Sequence, residues 1–193
     1  MGNSKAGKAQ SHDRIVQVAS ARFRECGVNG LGVADLMNDA GFTHGAFYRH
    51  FGSREELVAE AVERALLDGG RAMAAIANGK LERQALLAAI VNVYLSAAHR
   101  DGLASSCAVA TLAGDVAHSN DRTRSAYTRQ VATYLELLTK LIAGEKRRSR
   151  RVKAIAALST LVGAISMARA VNDESLSAEI LRSAAEELKT QLR

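Results

Sequence analysis

No proline occurs anywhere in the 193 residues of this chain. Average usage of about 5% would put roughly ten prolines in a chain of this length. Proline breaks helix interiors but suits most turns, so its complete absence favours a chain built from helices. Alanine and leucine are abundant, β-branched alternation is nearly missing, and no segment reads as a strand. The expected fold is all-α.

Composition then removes several classes. Hydrophobic residues make up 48% and charged residues 24% of the chain, which argues against global disorder. The length allows one large domain or two small ones with ample core. Two cysteines cannot form a disulfide framework, and no CxxC-type metal spacing appears. No apolar run approaches the ~18–20 residues of a bilayer span. The polar segment Met1–Ser11 lacks a secretory core, and Ala6 stands where a myristoylation signal requires Ser or Thr. The expectation is a cytoplasmic protein with no membrane partner and no cofactor.

The 26 Lys+Arg and 20 Asp+Glu give a formal net charge of +6. The surplus is local. Residues 1–54 hold seven basic and four acidic side chains, and residues 146–153 (KRRSRRVK) hold six basic and none acidic. Either place could meet an anionic partner. For residues 146–153 the plainer reading is a solvated connector between helices.

Along the chain, Met1–Gln10 reads as a loose basic tail. A helix over 11–25 follows, stopped by Gly27, with Ile15, Val18, Ala19, Arg22 and Phe23 on one face and Cys26 in the core. Short helices are predicted over 33–39 and 43–50. Ser53-Arg54-Glu55-Glu56 is a capping box opening a long helix, with a possible kink at Gly69-Gly70 and an end at Asn78-Gly79. Further helices are predicted over 81–99, 107–118 and from Asn120, giving about nine in all. The last two helices carry wide apolar faces. Ala154, Leu158, Leu161, Val162 and Ile165 on one, and Ile180, Ala184 and Leu188 on the other, predict contact with a partner subunit.

Residues 33–51 hold the most specific pattern. Two short helices flank a tight turn at Gly41-Phe42, the arrangement of a helix-turn-helix. Phe47 and Phe51, four apart, anchor the inner face of the second helix. Thr43, His44, Gly45, Tyr48 and Arg49 are left outward. Thr43 and His44 suit base edges, and Gly45 allows close approach of the backbone. Tyr48 and His50 suit phosphate oxygens, and Arg54 begins the next helix, where the dipole favours an anion.

The helix HDRIVQVASARFRECG, the segment VADLMNDAGFTHGAFYRHFGSREELV and its core GAFYRHF-x-S-[RK]-E-x-L closely resemble the DNA-binding domain of the TetR family of bacterial transcriptional regulators. The resemblance implies a flexible basic tail at 1–10, a helix-turn-helix domain at 11–54 and a helical effector-binding and dimerisation domain at 55–193. It also implies a repressor that binds a palindromic DNA operator as a homodimer and is released by a small-molecule effector. Position by position, it gives base reading to Thr43, His44 and Gly45, and phosphate holding to Tyr48 and His50. Arg54 replaces the family's common Lys. Two departures stand out: Leu31 and Gly32 where the family often has hydroxyls, and Met37 where it usually has a small Ala.

In the second half, Met73, Tyr94, Tyr127, Tyr134 and Met167 are bulky and central enough to line an effector pocket, to which Cys107 is also assigned. Cys107 is expected in the first turn of a helix, where the dipole favours a thiolate, so it reads either as a redox or electrophile sensor or as a small packing residue. A helical enzyme with Cys107 as nucleophile lacks any paired base or oxyanion device, and the chain is not read as an enzyme.

Overall fold

The computed structural model describes residues 5–79, 81–143 and 146–192. Among them are ten α-helices, two short 3₁₀ segments and no strand. The helices are α1 (Lys5–Cys26), α2 (Val33–Asp39), α3 (Arg54–Ala77), α4 (Arg83–Tyr94) and α5 (Ala97–Asp101), then α6 (Ala108–Thr111), α7 (Ala113–Ala117), α8 (Asp121–Leu141), α9 (Arg147–Ala170) and α10 (Glu174–Gln191). The 3₁₀ segments are His44–Arg49 and Leu103–Ser105.

The first unit is a three-helix bundle. Ile15, Ala19 and Phe23 of α1 meet Leu36 and Met37 of α2 and the rings of Phe47 and Phe51, all at or near zero exposure. Gly27 ends α1 at φ 74, a left-handed conformation that glycine adopts without strain. Gly41 does the same after α2 at φ 82. There the Phe42 amide donates to the Met37 carbonyl at 2.8 Å, closing the turn. At the N-terminus of α2, Gly32 offers no capping hydroxyl. The Asp35 carboxylate reaches back instead and accepts from the Gly32 N–H at 3.2 Å.

Several boundaries differ from the sequence reading. Lys5–Gln10 belongs to α1 and is not a loose tail; residues 1–4 lie outside the described part. Cys26 is exposed rather than core. The second helix of the motif is a 3₁₀ turn, with the Ala46 amide bonded to the Thr43 carbonyl at 3.0 Å and that of His50 to Phe47 at 2.8 Å. Ser53 caps α3 by accepting from the Glu56 N–H at 3.2 Å, but the Glu56 carboxylate reaches Gly52 instead of Ser53. The helix expected over 81–99 breaks at Leu95, because Ser96 accepts from the His99 amide and starts α5. The one expected over 107–118 divides at Leu112 into α6 and α7. Arg147–Lys153 is the start of α9 and not a connector.

Gly69 and Gly70 do not interrupt α3. A Cβ on Gly69 would lie 3.0 Å from the Tyr134 hydroxyl, and one on Gly70 would lie 3.1 Å from the Gln130 side chain. These glycines therefore let α8 approach α3 closely. α9 packs between α8 and α10, burying Ala154, Ala157, Leu161, Ala164, Ile165 and Ala168. By length and composition α9 could cross a bilayer, contrary to the sequence expectation, but this face lies inside the protein.

The bundle and the helical body share one continuous core. The first half of α3 (Leu57, Val58, Ala61, Val62) packs on α1. A His12–Glu60 hydrogen bond at 2.7 Å and an Asp13–Arg64 ion pair at 2.8 Å flank that contact. From α7, the Asp115 carboxylate accepts from the Val28 N–H at 3.2 Å. Arg54 braces the same turn. Its guanidinium donates to the Val28 carbonyl at 2.5 Å and to that of Leu31 at 3.5 Å. One guanidinium nitrogen of Arg54 is thus spent on the turn, a role in the fold that the sequence reading did not give it.

Two stability outcomes follow. Arg54→Ala leaves two turn carbonyls without their donor and should lower unfolding free energy by about 1–2 kcal/mol. Met37→Ala, although it restores the family's usual small residue, empties a fully buried site and should lower it by about 2–4 kcal/mol. Urea-induced unfolding followed by far-UV circular dichroism measures both; unchanged midpoints would contradict the packing described.

Candidate nucleic-acid interface and ligand cleft

The 3₁₀ turn has one buried side and one bare side. Phe47 and Phe51 are each 2% exposed, and their rings stack at 5.4 Å. With these two rings in the core, Thr43, His44, Gly45, Tyr48 and Arg49 are all exposed, as the sequence predicts. Tyr48 is 72% exposed and meets Phe47 edge-on at 5.2 Å. His44 lies 6.4 Å from Tyr48, also edge-on. A Cβ on Gly45 would meet nothing within 4 Å, so no contact inside the protein accounts for a glycine there.

His50 is only half-exposed. Its ring lies 6.1 Å from both His12 and Phe42, and its Nδ1 is buried without a partner. Burial first, and then the charges of His12, Lys8 and Arg49, push its pKa below the ordinary histidine value. A neutral His50 is a poorer phosphate ligand than its spacing suggests. Lys8, which the sequence reading assigned to the tail, is helical, exposed and close enough to His50 to repel its protonated form. It adds a cation beside the bare side of the turn. Only the extension of α1 upstream of Ser11 could have signalled it.

The second site is a cleft of about 190 Å³ between α3, α4 and α8. Four of the six predicted pocket residues line it: Met73, Tyr94, Cys107 and Tyr134. The other two do not. The Tyr127 hydroxyl donates to the Val109 carbonyl at 2.8 Å, and Met167 is 55% exposed on the outside of α9. Cys107 is 7% exposed, and it is the residue before α6 rather than in its first turn. Its thiol donates to Tyr134 Oη at 3.9 Å. Burial, and then the nearby thiol, raise the pKa of both Tyr94 and Tyr134 far above the ordinary phenol value, so both rings stay neutral.

Behind the cleft runs a polar chain that sequence spacing did not reveal. His99 Nδ1 donates to the Tyr94 carbonyl at 2.6 Å, and its Nε2 accepts the Cys107 N–H at 3.1 Å. That pattern requires the neutral imidazole, and burial duly lowers the His99 pKa. Arg169 of α9 donates to the carbonyls of His99 at 2.6 Å and Arg100 at 3.0 Å, and to Ser106 Oγ at 2.5 Å. Cleft and α9 are thus joined by hydrogen bonds. Among the described residues, no group of three or more His, Cys, Asp or Glu is arranged to hold a metal.

Of the residues expected at a subunit contact, Ala154, Leu158, Leu161, Ile165 and Leu188 are buried within the protomer. Val162, Ile180 and Ala184 are half-buried. What α9 and α10 leave on the surface is Val152, Ile155, Met167 and Leu176, each 43–62% exposed.

Residues 15–61 match the family described as bacterial regulatory proteins, tetR family. The chain is 31% identical over 130 residues to the HTH-type transcriptional repressor KstR2 of Rhodococcus jostii (strain RHA1), a match covering 66% of this chain and 61% of that protein. The chain therefore spans less than two thirds of that repressor's length. In structure it is similar to E. coli NemR in its reduced form, with TM-score 0.78, 20% identity, and 94% and 96% of the two chains covered. It is equally similar to a TetR transcriptional regulator from Chloroflexus aurantiacus, with TM-score 0.78, 24% identity, and 95% and 94% covered. Residues 15–61 thus carry the sequence of the tetR family of bacterial regulatory proteins, and the all-helical chain has the fold of TetR-type regulators.

Proposed function

We propose that this protein is a DNA-binding transcriptional regulator, a repressor that holds a palindromic operator as a homodimer and is released by a small molecule. The observation that carries the reading is the bare side of the 44–49 turn. Tyr48 is 72% exposed and touches the core only through the edge of Phe47, and Gly45 has open space where a side chain would be, so neither is explained by packing. Both make sense against a duplex: Gly45 admits the backbone, Tyr48 and Arg49 take phosphates, and Thr43 and His44 read base edges. Lys8 adds a further phosphate contact. The relative described as a repressor supports the direction of control.

A second subunit would cover the exposed apolar strip of α9 and α10. Gly163, where an added Cβ would meet nothing within 4 Å, marks a point on α9 that a partner helix could approach closely. The paired turns would then enter successive major grooves about 34–36 Å apart. The cleft at Met73, Tyr94, Cys107 and Tyr134 is the effector site in this reading. The thiol-sensor alternative has the burial of Cys107 against it, since a reactive cysteine needs access.

Binding-site selection from a random duplex pool, followed by fluorescence anisotropy at several salt concentrations, tests the core of the proposal. His44→Ala should change which bases are preferred. Arg49→Ala should weaken all sequences alike and reduce the salt slope by about 1. Weak binding indifferent to sequence would refute the proposal. For the subunit contact, Met167→Glu should give monomers in sedimentation-velocity runs while leaving the helical content unchanged. A variant that still sediments as a dimer would move the interface elsewhere.

A further inference from the structure

One polar group in the cleft is left unanswered by the folded chain. Tyr94, the last residue of α4, is 4% exposed, and its hydroxyl has no hydrogen-bond partner. The ring is held firmly. It lies edge-on to His99 at 4.6 Å, and His99 in turn donates to the Tyr94 carbonyl. The Cys107 sulfur beside it is only a weak acceptor, and its own proton is directed to Tyr134. A buried phenol without an acceptor carries the full cost of its desolvation, and such an orphan points to an occupant that supplies the acceptor.

The rest of the lining defines that occupant. The cleft of about 190 Å³ is a little larger than the ~150 Å³ that holds one benzene. Its walls are the aliphatic side chains of Ala72, Met73, Ile76, Ile90 and Val93, and no carboxylate, ammonium or guanidinium lines it. The two tyrosines and His99 are held neutral by burial. An anion would find only Arg169, which stands behind the wall and is already bound to three acceptors, so a charged ligand would lose its hydration largely unreplaced.

We propose that the cleft binds a neutral compound of about one ring, whose single hydrogen-bond acceptor, a carbonyl or ether oxygen, takes the Tyr94 hydroxyl. This names the effector class for the site and rests on the reading of the cleft as the effector site.

The test uses the full chain and three probes of one size: acetophenone, its hydrocarbon isostere cumene, and benzoate. Binding is followed by titration calorimetry and ligand-observed NMR. Acetophenone and cumene should bind, and benzoate should not. Tyr94→Phe should weaken acetophenone about fivefold or more and leave cumene unchanged or tighter. That variant should fold, because the hydroxyl it removes makes no hydrogen bond stronger than a contact with the Cys107 sulfur. Ala72→Trp, at the exposed edge of the cleft, should block both neutral probes. The proposal is overturned if benzoate binds as well as acetophenone. It is equally overturned if Tyr94→Phe affects the ketone and the hydrocarbon alike, or if Ala72→Trp changes nothing. Release of an operator fragment, measured alongside, separates the two readings. If the binding pattern holds but no probe releases DNA, the ligand class stands and the release reading falls. Release by compounds indifferent to both substitutions does the reverse.

Discussion

The stack of Phe47 on Phe51 decides which side of the 44–49 turn meets water. Both rings are sunk among Ile15, Phe23, Leu36 and Met37, and aromatic groups of this size dominate the energetics of so small a core. A 3₁₀ turn of six residues has little stability of its own. Its orientation is therefore set by what it buries. Tyr48 lies next in sequence to one of the buried rings, so it has no inward course open to it. The exposure of Thr43, His44, Gly45, Tyr48 and Arg49 is thus a by-product of hydrophobic packing on the other side.

The same economy governs α3. Its first two turns belong to the core shared with α1, while Gly69 and Met73 border the cleft. A second link, from Asp115 to the Val28 amide, joins the body to the turn after α1, and Arg54 closes that turn from the other side. The two candidate sites are thus connected through packed side chains and hydrogen bonds on a rigid helix. Contacts of this kind are what any energetic coupling between them would have to travel through.

Much of the helical order was readable in the sequence, because apolar spacing and capping residues act locally. Val33–Asp39 and the caps at Ser53 and Asn120 have short-range causes. What escaped is what depends on distant neighbours. Gly69-Gly70 reads as a weakness in isolation, and only the arrival of Tyr134 and Gln130 makes it a point of contact. Arg54 has the right charge for an anion, yet two carbonyls more than twenty residues away claim it. The wide faces of α9 and α10 did signal burial. Their sequence could not say that the protomer itself covers Leu161 and Ile165 and leaves Val152 and Met167 outside. Of the five residues picked for bulk, Met73, Tyr94 and Tyr134 line the cleft and Tyr127 and Met167 do not, since size does not fix direction.

The start of α9 puts six basic side chains where a helix macrodipole disfavours cations. Glu136 of α8 answers two of them, pairing with Arg147 at 3.4 Å and Arg151 at 3.3 Å. These charges repel one another, so dissolved ions that shield them relieve this end of the molecule. In the proposed function, ions that shield the 44–49 turn would also loosen its hold on a duplex. One and the same rise in ionic strength therefore pulls in opposite directions at two places in the fold, firming the scaffold as it weakens the grip.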